Sequence, residues 1–232
     1  MELQLIQWQS VLNGHTIDFE IEMAIHPTSY GKIIINYPGA DGSLDGYNHK
    51  YKTLAEYIVA QKLASVVRIP NKHTFGLGWD LCLRKAVDYV IAHSLEICGV
   101  KKPEIFLMGF SAGAGGIAMI AWEYPEVSKI LLLEPTLKVG QRLVLDGIRQ
   151  YCGELCIVVG SGEEALGTEV GNMIMESAVS ASKKELFEIP HCNHQFMGEA
   201  NGRIVSQAPL YAFSDHKDSR FPDPTGGIQL YD

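Results

Sequence analysis

The 232 residues suffice for one domain with a substantial buried core, and 47% hydrophobic against 20% charged residues is the balance of a globular protein. A formal charge of −8, with no basic run longer than Lys101-Lys102 or Lys183-Lys184, argues against a nucleic-acid partner, which needs clustered cations. No stretch approaches the ~20 apolar residues of a membrane helix, so no membrane partner is expected, and composition says nothing of oligomeric state.

The start of the chain, Met1 to Gln7, has neither the basic opening nor the apolar core of a signal peptide. The five cysteines (Cys82, Cys98, Cys152, Cys156, Cys192) are odd in number and share no metal-site spacing. Together these predict reduced thiols in a cytoplasmic protein. Next comes a β-hairpin. A strand-like run from Leu3 to Leu12 is followed by Asn13-Gly14, the dipeptide that suits a turn with two positive φ values. Ile17, Phe19, Ile21, Met23 and Ile25 then alternate with Asp18, Glu20, Glu22 and Ala24, the period of a strand with one solvated face.

From residue 32 short, nearly continuous apolar runs alternate with segments of helical period. The runs fall at 33–35, 65–69, 105–108, 130–133, 156–159 and 186–189. Strands apolar on both faces belong to a parallel sheet covered by helices. Leu83, Val87, Val90, Ile91 and Leu95 fall on one helical face, and Ile117, Ile120, Ala121 and Tyr124 on another. The alternation predicts an α/β fold, a mostly parallel sheet of about eight strands with the antiparallel hairpin at one edge and helices on both faces. No linker or repeat divides it, so residues 1–232 are expected to form a single domain. About 214–232, polar and holding Pro222, Pro224 and Gly226-Gly227, is expected to be an irregular tail, wrapped on the surface or partly disordered.

Gly109-Phe110-Ser111-Ala112-Gly113 matches G-x-S-x-G directly after the 105–108 strand and opens a helix expected to reach about Tyr124. In that setting a sharp turn exposes the serine Oγ at the carboxyl end of the sheet. Gly109 and Gly113 avoid collisions across the turn, and Ala112, Gly115 and Gly116 are expected to keep the helix start open toward a reacting oxygen. Ser111 is thus the candidate nucleophile, and a serine hydroxyl needs a base. The candidate lies in Ile189-Pro190-His191-Cys192-Asn193-His194, a loop that follows a strand at the same sheet edge. His194 is preferred over His191 for its reach from the strand end. A metal site from His191, Cys192 and His194 competes, but it lacks a fourth ligand and a standard zinc spacing. No metal and no cofactor are expected.

An acid should lie between serine and histidine to hold the imidazole tautomer. Glu163, in the Gly160-Ser161-Gly162-Glu163-Glu164 turn after 156–159, is the first choice. Glu164 is the immediate alternative, and Glu134, which ends the 130–133 strand, competes from one strand earlier. The oxyanion hole is expected at the N–H groups of Ala112 and of Ala40, the latter in the loop Asn36-Tyr37-Pro38-Gly39-Ala40-Asp41-Gly42.

With these pieces the chain resembles the α/β-hydrolase superfamily over roughly residues 1–200. The matching pieces are an N-terminal hairpin, a Pro-Gly loop after the third strand, the elbow after the fifth, a carboxylate after the seventh and Ile-Pro-x-x-x-His after the eighth. The resemblance implies acyl-enzyme hydrolysis of esters, thioesters or amides without a cofactor. Ser111 would attack, His194 would carry the proton, Glu163 would orient it, and Ala112 and Ala40 would hold the oxyanion. Three features depart from the family pattern: a Glu where Asp is usual, Pro-Gly where His-Gly is frequent, and a weak final helix over 198–213. Between Pro135 and Glu154 there is room for one helix, about Val139 to Tyr151, where many relatives insert a lid. The expectation is an open-sited carboxylesterase-like serine hydrolase for a small or medium soluble acyl substrate. A thioesterase, acyltransferase or peptidase with the same triad, or a non-catalytic binding module of this fold, are the alternatives.

Overall fold

A computed structural model of the chain describes residues 1–72, 74–76, 78–162 and 167–230. β1 (Glu2–Leu12) and β2 (His15–His26) form the predicted hairpin, turning at Asn13 (φ 50°) and Gly14 (φ 79°), the positive pair that matches strand twist. Trp8 stacks on Phe19 directly across the pair, with ring centroids 5.3 Å apart. Six further strands follow: β3 (Lys32–Tyr37), β4 (Ser65–Arg68), β5 (Glu104–Phe110), β6 (Val127–Leu133), β7 (Glu154–Gly160) and β8 (Lys183–Ile189). They make one eight-stranded sheet in the order β1-β2-β4-β3-β5-β6-β7-β8. It is antiparallel from β1 through β2 to β4 and parallel from there on.

Alternate residues of the central strands feed two cores. Ile33, Ile35, Leu107, Leu132 and Ile157 face one layer, which packs on α2 (Asp80–Ala92), α4 (Ala112–Ile120), α5 (Gln141–Gln150) and α6 (Gly167–Ser177). Ile34, Phe106, Leu131, Leu133 and Val158 face the other, under α1 (Lys50–Ala60) and α7 (Glu199–Phe213). The two-faced apolar runs of the sequence are therefore strands covered on both sides. The connection from β6 to β7 holds only α5, close to the 139–151 span predicted and with no inserted domain. No helix among the described residues is long and apolar enough to cross a membrane.

Three expectations need correction. The final helix is not weak: α7 is 15 residues long, with Ile204, Ala208 and Ala212 in one buried i, i+4 stripe and Phe213 stacked 4.9 Å from Phe106. Gly202 and Pro209 hide it from a propensity reading, but burial of that stripe outweighs their cost. Leu95 is exposed, because α2 ends at Ala92 and a short α3 (Ser94–Cys98) turns its face away. The elbow helix ends at Ile120, and Ala121–Glu123 tighten into a 3-10 turn. Residues 214–230 contain no regular element, yet they are packed. Phe221 sits among Phe187 and Tyr211 with centroids 5.0 and 4.7 Å away, and Ile228 N–H donates to Ser206 Oγ at 2.8 Å. All five cysteines are free thiols, three of them buried.

Candidate active site

β5 ends at Phe110 and α4 begins at Ala112, which leaves Ser111 alone to turn the chain. It does so at φ 48°, ψ −115°, a strained conformation for a residue with a side chain. Backbone bonds hold it there: Ser111 N–H donates to Leu133 O (2.8 Å), and its carbonyl accepts from Gly115 N–H (3.0 Å) and Thr136 N–H (3.3 Å). The flanking glycines are demanded by space. A Cβ on Gly109 would stand 2.7 Å from Ala114 N, and one on Gly113 would stand 2.2 Å from Pro38 O and 2.5 Å from Tyr37 O. Gly113→Ala is therefore expected to lower stability by about 2 kcal/mol or more in denaturant titration, since backbone and not a side chain must yield. Gly115 and Gly116 serve differently from the expectation: a Cβ there would meet Thr136 O at 2.5 Å and the Trp79 ring at 2.9 Å, so they admit neighbours to the flank of α4.

The loop after β8 is nailed down on either side of His194. Cys192 and Phe196 are fully buried in the core, and Asn193 Oδ1 accepts from the N–H groups of Gln195 (3.2 Å) and Met197 (3.0 Å). Between these anchors His194 stands with Nε2 3.0 Å from Ser111 Oγ and Nδ1 3.2 Å from Glu134 Oε2. His191 is exposed, with φ 57°, and takes no part in this contact. Burial, with the Glu134 charge added, pushes the Cys192 thiol up to about 12. Among the described residues no cluster of three or more His, Cys, Asp or Glu is arranged to hold a metal.

Glu134 follows β6 directly and is 1% exposed, at φ 48°. Its N–H donates to Val158 O at 2.9 Å, and its Oε1 accepts the N–H of Gly160. A Cβ on Gly167, at the start of α6, would fall 2.5 Å from Glu134 Oε2, so only glycine lets that helix end approach the carboxylate. Glu163, the acid preferred from sequence, lies outside the described residues, as does Glu164. The position at His194 Nδ1 is taken by Glu134, the candidate ranked behind them.

Ala112 is the first residue of α4, so its N–H has no intrahelical acceptor. Ala40 flanks Ser111 in the loop after β3, where Gly39 would bring a Cβ to 3.3 Å from Ser111 Cβ. Buried Asn71 clamps this loop: its Nδ2 donates to Pro38 O (3.0 Å), its N–H to Gly42 O (2.9 Å), and Tyr37 Oη donates to its Oδ1 (2.9 Å). Two clefts meet at Ser111, Ala40 and His194. One, of about 490 Å³, is walled by Tyr47, Lys50, Tyr51, Phe110 and Met197. The other, of about 780 Å³, runs past Phe75, Leu137, Lys138 and Val170.

Sheet order, elbow and helix placement together define the α/β-hydrolase fold. Among solved structures, dienelactone hydrolase from Anabaena variabilis matches over 92% of this chain and 100% of its own, at 16% identity and a TM-score of 0.67. The esterase domain of a Rhodothermus marinus protein matches over 89% and 95%, at 15% identity and 0.63. Est1E from Butyrivibrio proteoclasticus matches over 87% and 95%, at 16% identity and 0.62. No protein-family model matches the sequence, and no curated protein matches it.

Proposed function

We propose that this chain is a serine hydrolase that cleaves carboxylic esters through an acyl-enzyme. The observation that carries the reading is the relay Ser111 Oγ–His194 Nε2–Nδ1–Glu134 Oε2, with contacts of 3.0 and 3.2 Å at a strained serine. In this reading His194 Nε2 takes the Ser111 proton as Oγ attacks the acyl carbon. Buried Glu134 fixes the tautomer with Nδ1 protonated and stabilises the imidazolium. The N–H groups of Ala112 and Ala40 receive the oxyanion. Protonated His194 then releases the alcohol, and a water activated by the same nitrogen frees the acid.

The likeness to esterases and a dienelactone hydrolase supports this class of reaction at the level of fold. Two open clefts without an inserted lid suit small and medium substrates, one cleft for the acyl part and the other for the alcohol. The test is labelling of the purified protein with a fluorophosphonate, beside turnover of short p-nitrophenyl esters. Stoichiometric labelling on Ser111 with ester turnover is the expected result. Folded protein that neither labels nor turns over esters would overturn the proposal.

A further inference from the structure

The sheet has two edges, and they are built differently. β8, at one end, spans seven residues and carries Lys183, Lys184, Glu185 and Glu188, charges that make it a poor template for another strand. β1, at the other end, spans 11 residues with a single charge, Glu2, and neither proline nor glycine. Its pairing with β2 runs unbroken from Glu2↔Ile25 to Leu12↔His15, with no bulge to turn the edge away. Among the described residues β1 pairs only with β2. A long, regular, nearly uncharged edge of this kind is a ready template for a further strand.

The side chains of β1 point to what that strand is. Leu3, Leu5 and Val11 stand on the solvent face, 61, 53 and 69% exposed, while Ile6 and Trp8 on the other face pack against the core. An antiparallel partner keeps each face with itself, so a two-fold axis between two copies of β1 must fall on a residue. Gln7 is the midpoint of Glu2–Leu12, and an axis there pairs the strand over its full length. It sets Leu3 of one copy against Val11 of the other on the exposed face, and Ile6 against Trp8 on the inner face. An axis at Ile6 would set Leu3 against Gln9 and Trp8 against Gln4. One at Trp8 would set Ile6 against Ser10 and leave Leu3 without a partner. The strand is therefore complementary to its own inverse in one register.

Charge permits the same arrangement. Gln7 and Gln9 turn their amides to Glu20 (3.5 Å) and Asp18 (2.7 Å) of β2, so the groups that meet at the axis are neutral. The exposed acids of β2, Asp18, Glu20 and Glu22, would lie three strand spacings from those of the other copy, about 14 Å, beyond the screening length of about 8 Å at physiological salt.

We propose that β1 is a dimer interface, at which two copies of this chain join antiparallel about a two-fold axis at Gln7 and continue one sheet through both. The contact is isologous and leaves the charged β8 edges outermost, so it closes at two chains. It does not depend on the hydrolase chemistry.

The test begins with mass in solution. Light scattering on the untagged chain at about 100 μM should give twice the 25.6 kDa of one copy, and added salt should raise the dimer fraction. Leu5→Lys, an exposed change that charges the edge, should weaken association by on the order of tenfold or more with the circular dichroism spectrum unchanged. Thiol cross-linking then reads the register, in a Cys152→Ser background because Cys152 is an exposed thiol. A short bis-maleimide should join Gln7→Cys to itself, and Leu3→Cys to Val11→Cys when those two proteins are mixed. It should not join Leu3→Cys to itself, because those positions would lie about 27 Å apart at ~3.4 Å per residue. A single-chain mass at this concentration overturns the proposal. So does a dimer that Leu5→Lys leaves intact, or one in which Gln7→Cys joins no better than Leu3→Cys alone.

Discussion

Replacing Ser111 by alanine will reduce ester turnover by on the order of 10⁴-fold or more and abolish fluorophosphonate labelling, while the thermal unfolding midpoint stays at the parent value. The two halves of this expectation have separate causes. In the proposed mechanism the chemistry is carried by Oγ, which lies 3.0 Å from His194 Nε2. The conformation is carried by the backbone: Ser111 N–H bonds to Leu133 O, and its carbonyl is bonded by Gly115 and Thr136, all of which alanine retains. The strain at φ 48° comes from having a Cβ, so serine and alanine bear it equally. Circular dichroism melts beside the activity assay check both halves. A Ser111→Ala protein that unfolds would mean that the hydroxyl holds the elbow together. One that retains turnover would place the chemistry elsewhere.

Much of this architecture is legible in the sequence because it is governed by local rules. The β1–β2 turn follows from Asn13-Gly14, and the parallel strands follow from runs apolar on both faces. The elbow follows from glycines that must lack a Cβ, and its serine from the strand-to-helix setting. His194 is also readable, since a loop after the last strand must return to the same sheet edge. What escapes is set by packing or by neighbour relations between strands. α7 carries Gly202 and Pro209 and forms because its buried stripe covers Phe106, Leu131 and Leu133. The carboxylate at His194 is a matter of register. β6 lies directly beside β5, with Phe110 paired to Leu133, so the residues just beyond them, Ser111 and Glu134, emerge side by side. Pairing two strands separated by a whole helix is not inscribed in either segment alone, and the Glu163-Glu164 turn offers an equally acidic strand end. Once the sheet order is known, Glu134 is the nearer of the two strand ends to the elbow.

Glu134→Gln should lower kcat by about 10²- to 10⁴-fold with a stability loss under about 2 kcal/mol. The side chain is buried and bonded on both oxygens, so the amide must satisfy the same two partners. Gly160 N–H can only donate, which turns the glutamine oxygen toward it and leaves the NH₂ group facing His194 Nδ1. That nitrogen must then accept, and the ring proton moves to Nε2, where it points at Ser111 Oγ. The imidazole in this tautomer cannot take the serine proton, and the charge that would have stabilised the imidazolium is gone. The fold should survive because volume and the bond to Gly160 are retained. Glu163→Gln and Glu164→Gln are the controls, and each is expected to keep turnover near the parent value. Steady-state kinetics and denaturant titration on the three variants decide the matter. A large loss at Glu163 with a small one at Glu134 would move the acid to the β7 turn and leave Glu134 as a buried bracket between Gly160 and the histidine loop. A large loss at Glu134 alone makes it the residue that sets His194 to work.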